Sequence, residues 1–84
     1  MNEPLPPLSE QAEKLQPGIY EHYKGIQVRV LGVARHSETL EEMVMYQHLE
    51  DGNFWVRPVV MFYDDVEYNG ERKPRFRFLH EKNI

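Results

Sequence analysis

Three two-residue turn signals, Lys24-Gly25, Asp51-Gly52 and Asn69-Gly70, divide the chain after Gly18 into short apolar runs. Runs of this length between glycine turns read as strands, because each is too short for a buried helix and each is bounded by residues that take positive φ. In IQVRV, Ile26, Val28 and Val30 alternate with Gln27 and Arg29, the pattern of a strand with one buried face. The alternation loses phase at Gly32, which predicts a bulge or a strong bend. Asp51-Gly52, with apolar residues on both sides, predicts an antiparallel hairpin between MVMYQHLE and NFWVR. Pro58 ends the second of these, and PVVMFYDD has the length and apolar spacing of one helical turn, expected as 3₁₀ with proline at its first position. PRFRFL closes the series, with Phe76 and Phe78 on one face and Arg75 and Arg77 on the other.

About five short strands, a bent second strand and one 3₁₀ turn predict a mainly β fold, a small, strongly bent antiparallel barrel of SH3-like type. The alternative is an α+β half-barrel: Leu40, Met43, Val44 and Gln47 stand at i, i+3, i+4, i+7, so residues 40–49 also fit a helix. A chain of 84 residues buries only about 60% of its unfolded surface, so one core is expected and no deep enclosed active site. It has no cysteine, which excludes disulfides, thiolate catalysis and cysteine-ligated metal centres and leaves stability to packing.

Residues 1–17 differ in composition and read as an arm packing loosely on the domain. PLPPL suits extended polyproline, and SEQAEKLQ a short helix capped by Ser9 and stopped before Pro17. Pro4 and Pro7 formally satisfy the P-x-x-P pattern. The division expected is the arm at 1–17, one barrel domain at 18–80 and a tail at 81–84. No apolar run approaches the roughly 18 residues of a membrane span, so a cytoplasmic protein without a membrane partner is expected.

The net charge of −4 argues against tight non-specific binding to a phosphate backbone, which depends on lysine and arginine. Yet residues 72–82 carry Arg72, Lys73, Arg75, Arg77 and Lys82 against Glu81, whereas Arg57 is the only base between residues 38 and 71. Either the basic end meets an anion, or it complements acidic neighbours in the same molecule.

Four groups of residues carry chemistry worth weighing. In RHSET, residues 35–39, the Arg35, His36, Ser37, Glu38 and Thr39 side chains offer several hydrogen-bond groups on one connection, suited to an anion or polar molecule. The same residue types also fix tight turns unaided, and Glu38 is placed to pair with Arg35. In WVRP, Trp55 and Arg57 share a face if the segment is extended, an arrangement that holds a carboxylate, phosphate or base. The histidines are too far apart for a local metal motif, so a metal site would need His36 and His48 with Glu38 across strands. Tyr20, Tyr23, Tyr46, Tyr63 and Trp55 serve either as an aromatic cage or as the core of a domain short of aliphatic residues.

GIYEHYKG, LGVARHSET, WVRPVVMF and PRFRFL together resemble a bacterial family, the domain of unknown function 1653. Its patterns G-x-Y-x-H-Y-K-G, V-L-G-x-A-x-H-S-E-T, W-V-R-P-x-x-M-F and P-R-F are met in order over roughly residues 18–79. The resemblance implies a small β-rich bacterial domain and brings no activity, substrate or cofactor. It directs attention to His36, Ser37, Glu38, Thr39, Arg57 and Arg75, the polar motif positions, whether as a site or as a shared hydrogen-bond network of the fold.

The function expected is a binding module rather than an enzyme, needing no cofactor. In it the RHSET loop with Trp55, Arg57 and Arg75 meets on one rim and holds a polar or anionic partner: nucleic acid, a nucleotide-like ligand or an acidic peptide. The competing readings are a metal-assisted hydrolase using His36 and Glu38, and a protein-interaction domain whose edge strand pairs with itself or a partner.

Overall fold

The structure, a computed structural model, describes residues 5–81. Seven strands form a five-stranded antiparallel sheet and a separate hairpin. They are β1 (Gly18–His22), β2 (Gln27–Arg35), β3 (Glu42–His48), β4 (Phe54–Pro58), β5 (Asp65–Tyr68), β6 (Glu71–Pro74) and β7 (Phe76–His80). The large sheet runs β4-β3-β2-β1-β7, and β5 pairs only with β6. Because β4 and β7 lie at opposite edges of that order, the sheet is open and the expected closed barrel does not form.

The turn signals act as their chemistry requires. Across Asp51-Gly52 the Asp51 carboxylate accepts the Asn53 N–H at 2.9 Å, and β3 pairs with β4 from Gln47↔Phe54 to Met43↔Pro58. The alternative helix over 40–49 is therefore replaced by strand, its β-branched and aromatic residues being stabilised by cross-strand neighbours on both sides. At Asn69-Gly70 both residues take positive φ, 55° and 78°, and the tight turn joins β5 to β6, a hairpin beyond the five strands expected. The β2–β3 register slips between Val30 and Gly32, which is the predicted bulge.

Val28, Val30 and Val44, all fully buried, line the concave face of the sheet. Pro58 sets the start of α2 (Val59–Phe62), whose Phe62 drops onto that face and stacks on Phe76 at 4.4 Å between ring centroids. Tyr20 meets Phe62 edge-on at 5.4 Å, and Tyr46 meets Phe76 at 5.5 Å. The turn is α rather than the expected 3₁₀, since the Tyr63 N–H reaches the Val59 carbonyl at 3.2 Å.

The N-terminal segment enters the core instead of lying loosely on it. In α1 (Glu10–Glu13) the Ser9 hydroxyl accepts the Ala12 N–H at 3.2 Å as N-cap. That hydroxyl also donates to Glu42 at 2.6 Å, and the Ser9 N–H donates to the other carboxylate oxygen at 2.7 Å, tying the helix to β3. Ala12 and Leu15 are buried in the main cluster. Tyr20 donates to the Gln16 carbonyl at 2.7 Å, and burial, with Tyr63 nearby, pushes its pKa up to about 12. Pro4, one half of the P-x-x-P match, and residues 82–84 of the expected tail lie outside the described residues. No described helix is long and apolar enough to cross a membrane.

β7 passes so close to the start of β1 that only glycine fits there. A Cβ on Gly18, at φ 153°, would lie 2.6 Å from the His80 carbonyl oxygen and 2.9 Å from Phe78. Gly18→Ala is expected to lower unfolding free energy by about 2–4 kcal/mol in a denaturant titration, because strand β7 must shift to admit the methyl group.

Candidate functional site

α1 and α2 cover one end of the concave face and leave the other open. There a cup of about 220 Å³ is lined by His22, Ile26, Val28, Tyr46, His48, Trp55, Arg57 and Phe76. Val28, Tyr46 and Phe76 are core residues that also form the cup's apolar floor and wall. β3 brings in Tyr46 and His48 two residues apart, and β4 brings in Trp55 and Arg57 likewise, since alternate residues share a face. Trp55 stands opposite Tyr46, and its indole lies 5.7 Å from the His48 ring. Half of Trp55 remains exposed, 51%, so it forms a wall open to incoming ligand.

Arg57 faces inward beside Val44, its cross-strand partner. Its Nε is buried with no hydrogen-bond partner, and no ion pair engages it among the described residues. Its charge is felt at His22, whose pKa is held below the ordinary 6.5 first by burial and then by Arg57 and Arg75. His22 therefore stays neutral at pH 7.

Arg29 Nε is likewise buried without a partner, but on the opposite face of β2 and outside the cup, whereas three arginines near the C-terminal end have acids beside them. Arg75 grips Asp64 with two hydrogen bonds, Nε to Oδ1 at 2.7 Å and a terminal nitrogen to Oδ2 at 3.2 Å, while its N–H donates to the Asp64 carbonyl at 3.0 Å. This clamp fixes the end of α2 to the start of β7. Arg77 pairs with Glu21 at 2.6 Å and Arg72 with Asp65 at 3.6 Å. Much of the basic end thus complements acids of the same molecule.

RHSET closes the β2–β3 hairpin at the end away from the cup. His36 exchanges backbone hydrogen bonds with Glu41 and Leu40, and its Nδ1 accepts the N–H groups of Glu38 at 3.1 Å and Thr39 at 3.3 Å. The Thr39 hydroxyl accepts the Glu41 N–H at 3.1 Å. Ser37 and Glu38 are exposed on the turn. Arg35 donates to the Pro6 carbonyl at 2.6 Å rather than to Glu38. The His36, His48 and Glu38 metal set is not assembled: His36 lies beyond the Arg35↔Glu42 pair and His48 opposite Val28, roughly 20 Å along the hairpin at ~3.3 Å per residue. No group of three metal-ligating side chains occurs among the described residues.

The cup therefore brings together Trp55 and Arg57 of the expected residues, with Arg75 acting through its field, and the 35–39 loop lies outside it. Sequence reasoning missed His22, His48 and Phe76 as cup residues and weighed Tyr46 only as one of five cage aromatics. The signal was present in the i, i+2 spacing of Tyr46 and His48 and in the histidine of GIYEHYKG. The five aromatics considered as a cage divide: Trp55 and Tyr46 line the cup, Tyr20 is core, Tyr23 meets His22 and Tyr68, and Tyr63 meets Phe62 edge-on.

Fold and site together define a small, mainly β protein: one open sheet that leaves a single-ring-sized aromatic cup beside an unpaired arginine nitrogen. A family model described as protein of unknown function (DUF1653) matches residues 18–78, and the chain belongs to that family. A crystal structure of a member of the same family from Bordetella bronchiseptica is similar, with a TM-score of 0.78 and 29% identity, covering 87% of this chain and 97% of that one. No curated protein matches the chain.

The clamp and the turn generate separate tests. Arg75 holds the Asp64 carboxyl below its ordinary 3.8, so the stabilisation is fully present above about pH 4 and is lost as pH falls through the folded value. Melting temperatures of wild type and Asp64→Asn should differ at pH 7 and converge as the pH falls below the folded-state value of the Asp64 carboxyl. His36→Ala removes an acceptor for two backbone N–H groups and should cost about 0.5–1.5 kcal/mol in chemical denaturation without altering the cup.

Proposed function

We propose that this protein is a binding module whose cup receives one planar group bearing an anionic substituent, a nucleotide-like ligand among the classes expected. The observation that carries this reading is the buried, unpartnered Arg57 Nε at an otherwise apolar and aromatic wall. A buried donor without an acceptor is unfavourable by about 1–3 kcal/mol, and an anion that accepts from it recovers that energy. The guanidinium fork suits a carboxylate or phosphate, while Trp55, His48 and Tyr46 offer ring faces for stacking.

The cup volume limits what enters. At about 220 Å³ it is smaller than the ~300–1,000 Å³ of sites for drug-sized ligands, so it accommodates a ring and its acidic group rather than a long chain. A polyanion finds little else to bind, given the net charge of −4 and the internal pairing of Arg72, Arg75 and Arg77.

Amide NMR titrations with nucleoside monophosphates, and with single-ring aromatic carboxylates as smaller probes, should shift resonances of His22, Tyr46, His48, Trp55 and Arg57. Arg57→Ala should weaken binding at least tenfold without lowering the melting temperature by more than about 2 °C, because the arginine is unpaired in the free protein. An anion placed beside Arg57 should also raise the His22 imidazole pKa on saturation. Shifts confined to residues 35–39, or affinity unchanged in Arg57→Ala, overturn the reading.

A further inference from the structure

β4 is an edge strand whose first three residues lack the usual protection. Its outer side pairs with no strand among the described residues, yet Phe54, Trp55 and Val56 are 67%, 51% and 56% exposed. Exposed edges are ordinarily blunted by lysine, proline, a bulge or an inward charge; β4 carries only the inward-facing Arg57 and Pro58, both at its C-terminal end, and Phe54 to Val56 has none of these. Val60 and Met61 of α2, 67% and 45% exposed, continue the apolar surface just beyond Pro58.

The direction of the free backbone groups follows from the register. The His48 N–H donates to the Asn53 carbonyl, so odd-numbered residues of β4 turn their backbone groups to β3. Phe54, Val56 and Pro58 turn theirs outward, and Pro58 has no N–H to leave unpaired there. This row is self-complementary. An antiparallel two-fold centred on Val56 sets Val56 against Val56 and Phe54 against Pro58 as hydrogen-bonded pairs. It also sets Trp55 against Arg57 of the second copy at a closely spaced, non-hydrogen-bonded position.

We infer that β4 is a dimerisation edge at which two copies of this chain join their five-stranded sheets into one, each Arg57 lying against Trp55 of the other copy. The occupant is a second copy because the pairing is complementary in charge as well as in backbone: the guanidinium meets the electron-rich face of an indole rather than another cation. In other registers this match is lost. The pairing also brings two cups side by side, with Trp55 of one copy forming a wall next to the other's arginine. It stands whether or not the cup binds a ligand.

Sedimentation equilibrium of the wild-type chain from about 10 μM to 1 mM should show a reversible monomer–dimer equilibrium. Val56→Lys places a charge at the centre of the edge, away from the cup face, and should raise the dissociation constant at least tenfold. Leu49→Lys, a comparably exposed apolar position outside β4, should leave it unchanged. Phe54→Lys is the second variant should Val56→Lys fail to fold. In a mixture of differently labelled chains, intermolecular NOEs between the Trp55 indole and Arg57 should define the register. A wild-type chain monomeric at 1 mM, a dimer unaffected by both edge variants, or a dimer without those NOEs overturns the inference; the first result leaves the edge to an extended peptide of another protein.

Discussion

The stack of Phe62 on Phe76 is the contact on which the rest of the molecule depends. A single open sheet has one face to bury and too few residues to build a second layer, so the covering group must be large and delivered by very little chain. One helical turn after Pro58 does this. Phe62 reaches Tyr20, Tyr46 and Phe76 at once, connecting β1, β3 and β7 through aromatic edges instead of through a closed ring of strands. The Arg75–Asp64 clamp holds the end of that turn against the start of β7, so ion pair and stack fix the same junction from two sides.

The cup follows from the same shortage of material. α1 and α2 roof one end of the concave face, and nothing among the described residues roofs the other, so Val28, Tyr46 and Phe76 serve as core on one side and as wall on the other. The arginine at this boundary, Arg57, has no carboxylate paired with it among the described residues. Arg57 contrasts in this respect with Arg72, Arg75 and Arg77, each of which has an acid to answer it. Arg29 Nε is also without a partner but lies outside the cup, so the contrast locates the candidate chemistry only together with the cup wall.

The motif residues separate into two physical roles. His36 and Thr39 are consumed by the turn they form, their polar atoms accepting N–H groups two or three residues away. Trp55 and Arg57 sit on a strand with no such local partners and therefore keep their groups for something else. A loop rich in hydrogen-bonding side chains resembles a ligand site in sequence for the same reason that it makes a stable turn: both need acceptors close to backbone N–H groups.

What the sequence determined by itself was local. Alternation marked the buried face of β2, Asp51-Gly52 marked the pairing of β3 with β4, Gly32 marked the bulge, Ser9 marked the start of α1, and Pro58 marked the start of α2. These depend on φ preferences and on partners within a few residues, which any chain carries in its order of amino acids. Closure of the sheet, the entry of Ala12 and Leu15 into the core and the meeting of His22, His48, Trp55 and Arg57 were decided only by tertiary structure. Each depends on distances between residues far apart in the chain, and those distances are set by how Phe62 and its neighbours pack, not by any spacing along the sequence.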